Sequence, residues 1–72
     1  MRIPLDSFAD MLGIRPGKVI HALRTSGKID GLELPGSLRQ QIYESDPGGS
    51  RPSLNVPLEE SLDFVQKWNQ RN

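Results

Sequence analysis

The chain has no cysteine, a single histidine, one tryptophan, one tyrosine and two phenylalanines, and no excess of either charge. Each shortage excludes something. Without cysteine, neither a disulfide nor a zinc–thiolate cluster can staple a small domain. His21 alone cannot build a histidine-based metal site or a proton relay. No apolar run approaches the roughly 20 residues needed to span a bilayer. The first residues show no basic region followed by an apolar stretch, so no secretory signal is expected. The expectation is a protein without metal, cofactor or membrane partner, located in the cytoplasm. With 72 residues, a single domain over 1–72 is expected. A chain this short buries only about 60% of its unfolded surface, so its stability has to come from one well-packed core.

Catalysis has little to stand on. There is no thiol nucleophile, no glycine-rich phosphate loop and no metal set. The seven serines have no spacing that joins any of them to His21 in a triad. The chain is not expected to be an enzyme.

Nine Lys and Arg balance nine Asp and Glu, a formal net charge of zero. Dedicated nucleic-acid binders usually carry a basic excess, because phosphate neutralisation supplies much of their affinity. Neutrality hides the layout, however. Between Asp10 and Asp30 there is no acid, while Arg15, Lys18, Arg24 and Lys28 fall there, so segment 11–29 carries +4 with His21 inside it. The acids gather at Asp6 and Asp10 and again at Glu59, Glu60 and Asp63.

In PLDSFADML, Leu5, Phe8, Ala9 and Leu12 recur at helical spacing. Asp6 suits the positive end of that helix, and Gly13 suits its end. In RPGKVIHALRTSG, Pro16 fits the first helical position, and Val19, Ala22 and Leu23 face one way. Lys18, His21 and Arg24 face outward, with Gly27 as the stop. Gly17 weakens this helix by about 1 kcal/mol relative to alanine. The last segment, VPLEESLDFVQKWNQRN, predicts a helix opened by Pro57, with Glu59 and Glu60 in its first turn and Lys67 and Arg71 near its end. Its expected buried stripe is Leu58, Leu62, Val65 and Trp68 with Phe64 beside it, and Asp63 and Lys67 are an expected i,i+4 pair.

Residues 28–56 read two ways. DPGG at 46–49 is a turn signal, and Ile42, Tyr43 and Val56 favour strand, which predicts a hairpin of roughly 40–45 against 52–56. Pro52 would confine its strand to an edge. The competing reading makes SLRQQIYE a helix, with Ser37 and Gln40 as a capping box and Leu38 over Ile42. GLELP at 31–35 reads as a short strand or a crossover. The favoured order is helix, tight turn, helix, crossover, hairpin, helix: mainly α with a small β-hairpin, the layout of a small winged helix-turn-helix.

The corner in 7–27 needs a small residue where two helices meet, Ala9, and one that tolerates positive φ, Gly13. Ile14 plugs the inside of the corner. An ordinary αα-corner would show the same pattern. Ala9, Gly13, Ile14, Val19 and Ala22 nevertheless sit where helix-turn-helix proteins keep their structural alanine, glycine and apolar positions. LRTSGKIDGLELP resembles the segment after the second helix in excisionase-like and MerR-like winged helices. LNVPLEESLDFVQKW resembles the return strand of their wing and the helix behind it. The resemblance covers nearly the whole chain and takes in small phage and plasmid excisionases, related phage regulators and the DNA-binding part of some small terminase subunits. Two features depart from it. Arg15-Pro16-Gly17 stands where a Ser or Thr cap is common, and 35–53 is longer than a compact wing.

The resemblance implies a sequence-specific DNA-binding protein of phage or plasmid type, either a transcriptional regulator or an excisionase that bends DNA and recruits a recombinase. The second helix, about 16–26, would enter the major groove of double-stranded DNA with its N-terminal half toward the bases. Arg15, Gly17, Lys18, His21 and Arg24 are the outward candidates, Arg15 or Arg24 suiting the O6 and N7 of a guanine. Gly17 would let backbone approach a phosphate at the helix start. Lys28 suits phosphate, and Arg39 and Arg51, on the supposed wing, would reach a minor groove or backbone. Each cation singly also reads as solvated surface, and the acid-free cluster is what points to DNA. Implied partners are DNA, further copies as dimers or cooperative neighbours, and a recombinase or RNA polymerase. The alternative is a protein-interaction domain that keeps the shape without using DNA, favoured by net neutrality and the acidic last helix.

Overall fold

The apolar spacing at the start of the chain becomes a short strand and two helices: β1 (Arg2–Pro4), α1 (Leu5–Leu12) and α2 (Pro16–Arg24). The structure, a computed structural model, describes residues 1–44 and 53–71. α1 buries Leu5, Phe8, Ala9 and Leu12, the four positions its periodicity selects. It closes on Gly13, whose φ of 73° is the left-handed conformation that glycine adopts without penalty. The Gly13 N–H donates to the Asp10 carbonyl and the Ile14 N–H to the Ala9 carbonyl, both 3.1 Å, the paired bonds of a Schellman close. Ile14 then packs against the core from inside the corner.

Pro16 opens α2 and Val19, Ile20, Ala22 and Leu23 are its buried side. The helix ends at Arg24, before the expected stop. The Thr25 N–H and hydroxyl both turn back onto the His21 carbonyl, and the Gly27 N–H donates to the Ala22 carbonyl at 2.8 Å. Thr25 thus engages the His21 and Ala22 carbonyls, and Gly27, at φ 73°, redirects the chain. It enters a hairpin of two-residue strands, β2 (Lys28–Ile29) and β3 (Leu32–Glu33), with Lys28 opposite Glu33 and Ile29 opposite Leu32. Asp30 (φ 51°) and Gly31 (φ 83°) form its turn, both in the left-handed region that tight hairpins require.

The hairpin expected over 40–45 and 52–56 is not formed. Residues Gly36–Glu44 are a helix, α3, and Asn55–Pro57 are a strand, β4, that pairs with β1 instead. DPGG lies outside the described residues. Strand propensity at Ile42 and Tyr43 is overridden by Leu38, which is fully buried from one helical face, while Tyr43 is left 89% exposed. The capping box is also absent. Ser37 lies inside the helix, and its hydroxyl donates to Glu60 Oε1 at 3.1 Å. A carboxylate from elsewhere in the chain thereby meets the positive start of α3.

β1 and β4 run antiparallel, with Arg2 opposite Pro57, Ile3 opposite Val56 and Pro4 opposite Asn55. Two further bonds extend the clasp, Leu5 N–H to the Leu54 carbonyl at 3.0 Å and Leu58 N–H to the Met1 carbonyl at 2.8 Å. A two-stranded sheet has two open edges, and the β4 edge is covered. On the β4 side the Gln41 carboxamide stands in for a neighbouring peptide group. Its Nε2 donates to the Asn55 carbonyl at 2.7 Å and its Oε1 accepts from the Asn55 N–H at 3.2 Å. On the β1 side Pro4 has no N–H to offer, and the Arg2 Nε donates to Asn55 Oδ1.

α4 (Leu58–Gln70) follows β4 and packs on α1. Its buried residues are Ser61, Phe64 and Trp68, whereas Leu62 is 52% exposed and Leu58 and Val65 are half-buried. The expected stripe is therefore rotated. Phe64 meets Phe8 at 5.5 Å and Trp68 at 6.1 Å between ring centroids, and turning these two large rings inward places Leu62 on the far side. The expected Asp63–Lys67 pair is not made. Ser61 fits the tight interior by donating to the Pro57 and Leu58 carbonyls, both 3.0 Å.

Gln41→Ala should lower the unfolding free energy by about 1–2 kcal/mol, since it removes both bonds to Asn55 and one to the Ser37 carbonyl. Gln41→Glu should cost at least as much, because it sets a carboxylate against two carbonyl oxygens. Urea midpoints at constant m-value check both, and an unchanged midpoint in the alanine variant would mean that water replaces the carboxamide without loss.

Candidate nucleic-acid interface

α2 divides into two halves. At about 100° per residue, Val19, Ile20, Ala22 and Leu23 occupy one side and are buried, and Gly17, Lys18, His21 and Arg24 occupy the other and are exposed. His21 stands at the middle of the exposed side, with Lys18 and Arg24 about 60° to either hand. No acid lies on this helix. Arg15, at the N-cap with φ −75° and ψ 142°, makes no capping bond with its side chain and is exposed at the helix start. Among the described residues, the side chains of Arg15, Lys18, His21 and Arg24 have no hydrogen-bond or ion-pair partner. The space above Gly17 is open, with nothing within 4 Å of where a Cβ would sit.

The other expected contacts separate. Lys28 is exposed on β2, one strand from this face, but Glu33 stands opposite it in register, so its charge is locally balanced. Arg39 is not on a wing. It belongs to α3, where its Nε donates to the Leu34 carbonyl at 3.1 Å, and its stem crosses Gly27 so closely that a Cβ there would lie 3.2 Å from Arg39 Cδ. Its work is to hold α3 against the start of the hairpin. Arg51 lies outside the described residues. What the periodicity of α2 predicted is together, and Arg39, which depended on the hairpin at 40–56, is not with it.

A second charged region lies on α4. Glu33, Pro35, Glu60, Asp63, Phe64 and Lys67 line an open, shallow depression, with Glu60 already engaged by Ser37. Leu62 is exposed on the same helix between Glu59 and Asp63. Trp68 is buried and offers no exposed aromatic surface to a protein partner.

Asp30 and Arg71 escaped the sequence reading as a pair. Arg71 Nε lies 3.1 Å from Asp30 Oδ2, its Nη1 donates to the Trp68 carbonyl at 2.6 Å, and its guanidinium carbon sits 3.5 Å from the centre of the Trp68 ring. The adjacent Asp30-Gly31, flanked by Ile29 and Leu32, was the signal for the turn. Nothing local signals a partner 41 residues away. No helix among the described residues is long and apolar enough to cross a membrane.

If the cations of α2 are free of structural duty, Lys18→Ala and Arg24→Ala should each shift stability by less than about 0.5 kcal/mol. Arg39→Ala should cost about 1 kcal/mol, and Gly17→Ala should add about 0.5–1 kcal/mol. Urea titration of the four variants reads this directly. A loss at Lys18 or Arg24 on the scale of Arg39 would assign them to the fold.

Comparison with protein-family models, with curated proteins and with solved structures finds no match to this chain, so the reading of this face rests on its own geometry.

Proposed function

We propose that this protein binds double-stranded DNA sequence-specifically, with α1 and α2 as a helix-turn-helix and α2 in the major groove. The β2–β3 hairpin takes the position of a small wing. The role is that of a phage- or plasmid-type regulator of transcription or an excisionase. The observation that carries this is the division of α2: the core consumes one half of the helix completely, and the other half presents Lys18, His21 and Arg24, with Arg15 at the helix start, none of them with a partner among the described residues. A helix of this width fits the major groove, where arginine reads guanine bidentately and lysine reaches phosphate. The open space above Gly17 suits a backbone-to-phosphate approach at the positive end of the helix. One module of this size covers little DNA, so occupancy of a specific site calls for dimers or cooperative neighbours.

The second reading is a protein-interaction domain of the same shape, and Leu62, half-exposed on the acidic side of α4, is what favours it.

Selection from random duplex DNA followed by footprinting should return a defined sequence, and the number and spacing of its half-sites. Affinity for it should fall with salt, with a log–log slope near −3 for three or four neutralised phosphates. Arg15→Ala, Lys18→Ala and Arg24→Ala combined should remove most of that slope and leave the thermal midpoint in place. Gly17→Ala should weaken DNA binding while strengthening the fold. Binding that ignored both salt and sequence, or a triple variant that bound as well as wild type, would end the DNA reading and leave the protein-interaction one.

A further inference from the structure

We propose that the β2–β3 hairpin lies against the DNA backbone beside α2, and that Arg71 is the positioning residue that permits it, by neutralising Asp30 at the hairpin tip. This rests on the DNA-binding reading above. Asp30 is the first acid after the cationic segment, six residues beyond Arg24. It occupies a left-handed position of a two-residue turn, and its carboxylate meets Arg71 Nε at 3.1 Å. Lys28, Asp30 and Glu33 together leave the hairpin at −1. Arg71 brings the local sum to zero.

The pairing is unlike an ordinary surface ion pair. Exposed pairs are worth little because two long side chains must be ordered to form them. Here Arg71 is already ordered by its bond to the Trp68 carbonyl and by its stacking on the Trp68 ring, 3.5 Å from the ring centre. It therefore delivers a positive charge to Asp30 without a further ordering cost. A hairpin at −1 is pushed from phosphates within a Debye length of about 10 Å, and a neutral one is not. Lys28 can then meet the backbone next to the groove that α2 occupies.

The test compares wild type, Arg71→Ala, Asp30→Asn and the double variant. Each is titrated against a fluorescent mixed-sequence duplex of about 20 base pairs in about 50 mM salt, where electrostatic binding is strong. Asparagine tolerates the left-handed turn position as well as aspartate does, so Asp30→Asn leaves the hairpin intact. Arg71→Ala should weaken binding about fivefold, Asp30→Asn should bind at least as tightly as wild type, and the double variant should return to within about twofold of wild type. A merely structural role for Arg71 gives no such rescue, because Asp30→Asn cannot restore the stacking on Trp68; melting curves of Arg71→Ala and of the double variant, expected to coincide below wild type, register that loss separately. The proposal falls if Arg71→Ala binds like wild type or if the double variant stays as weak as Arg71→Ala. If wild type itself shows no salt-dependent binding, the DNA reading fails first and takes this inference with it.

Discussion

The contact between Phe8 and Phe64 sets the arrangement of the rest. Phe8 is fully buried, and its ring meets that of Phe64 at 5.5 Å with the planes inclined by 56°. That contact fixes the rotation of α4 about its own axis. With Phe64 inward, Trp68 one turn later is also inward and stacks on it, and Leu62 must face out. Trp68 in turn supplies the ring and the carbonyl on which Arg71 rests, and Arg71 reaches Asp30 at the hairpin tip. One aromatic pair in the core is therefore connected, through a short series of contacts, to the conformation of a surface turn beside α2. A core this small has few large side chains to spend, and using three rings in one column concentrates much of its apolar area between α1 and α4.

The chain's two ends are held by a different device. The β1–β4 pair is three residues long and would be marginal alone. It persists because Val56 is fully buried beneath it and because its β4 edge is occupied. Gln41 makes to Asn55 the two bonds that a third strand would make, and so ties α3 to the sheet without a third strand. Glu60 does the equivalent for α3 from α4. α3 has little periodicity of its own, with Leu38 its one buried residue. Side chains from distant parts of the sequence thus specify its place.

This explains what the sequence disclosed and what it withheld. α1, α2 and α4 were legible because their determinants are local: the spacing of Leu5, Phe8, Ala9 and Leu12, the proline at position 16, the glycine at 13. The left-handed turn at Asp30-Gly31 is equally local, but DPGG is the stronger turn signal in the sequence and the flanking strands of the Asp30-Gly31 turn are only two residues long. α3 is the less favoured alternative in the sequence because Ile42 and Tyr43 carry strand propensity, and propensity yields to tertiary context when a buried leucine and the long-range hydrogen bonds of Ser37 and Gln41 favour the helix. The rotation of α4 was illegible for the same reason. Trp68 and the neighbouring Phe64 are buried as their spacing suggests, but Leu58, Leu62 and Val65 form as good a continuation of the stripe on paper as Ser61 does, and only the presence of Phe8 opposite decides between them. The cationic side of α2 was legible from periodicity alone. The employment of Arg39 by Leu34 and Gly27 was not, because it depends on where α3 lies.

Net neutrality, the feature that most opposed nucleic-acid binding in the composition, takes a different meaning once the charges have places. A strongly basic protein is attracted to any polyanion from a distance, and much of its affinity carries no sequence information. In this protein the acids of α4 cancel that long-range attraction, while at short range the exposed side of α2 still presents its cations without an acid among them. Beyond a Debye length of about 8 Å at physiological salt the two regions sum to little; within it, α2 acts alone. For a protein that uses this face on DNA, weak non-specific attraction lowers the number of competing sites that hold it. The ratio of specific to non-specific binding, which governs occupancy in a genome, then depends on groove contacts more than on bulk charge. Overall neutrality and a local cationic face are on this account parts of one electrostatic arrangement.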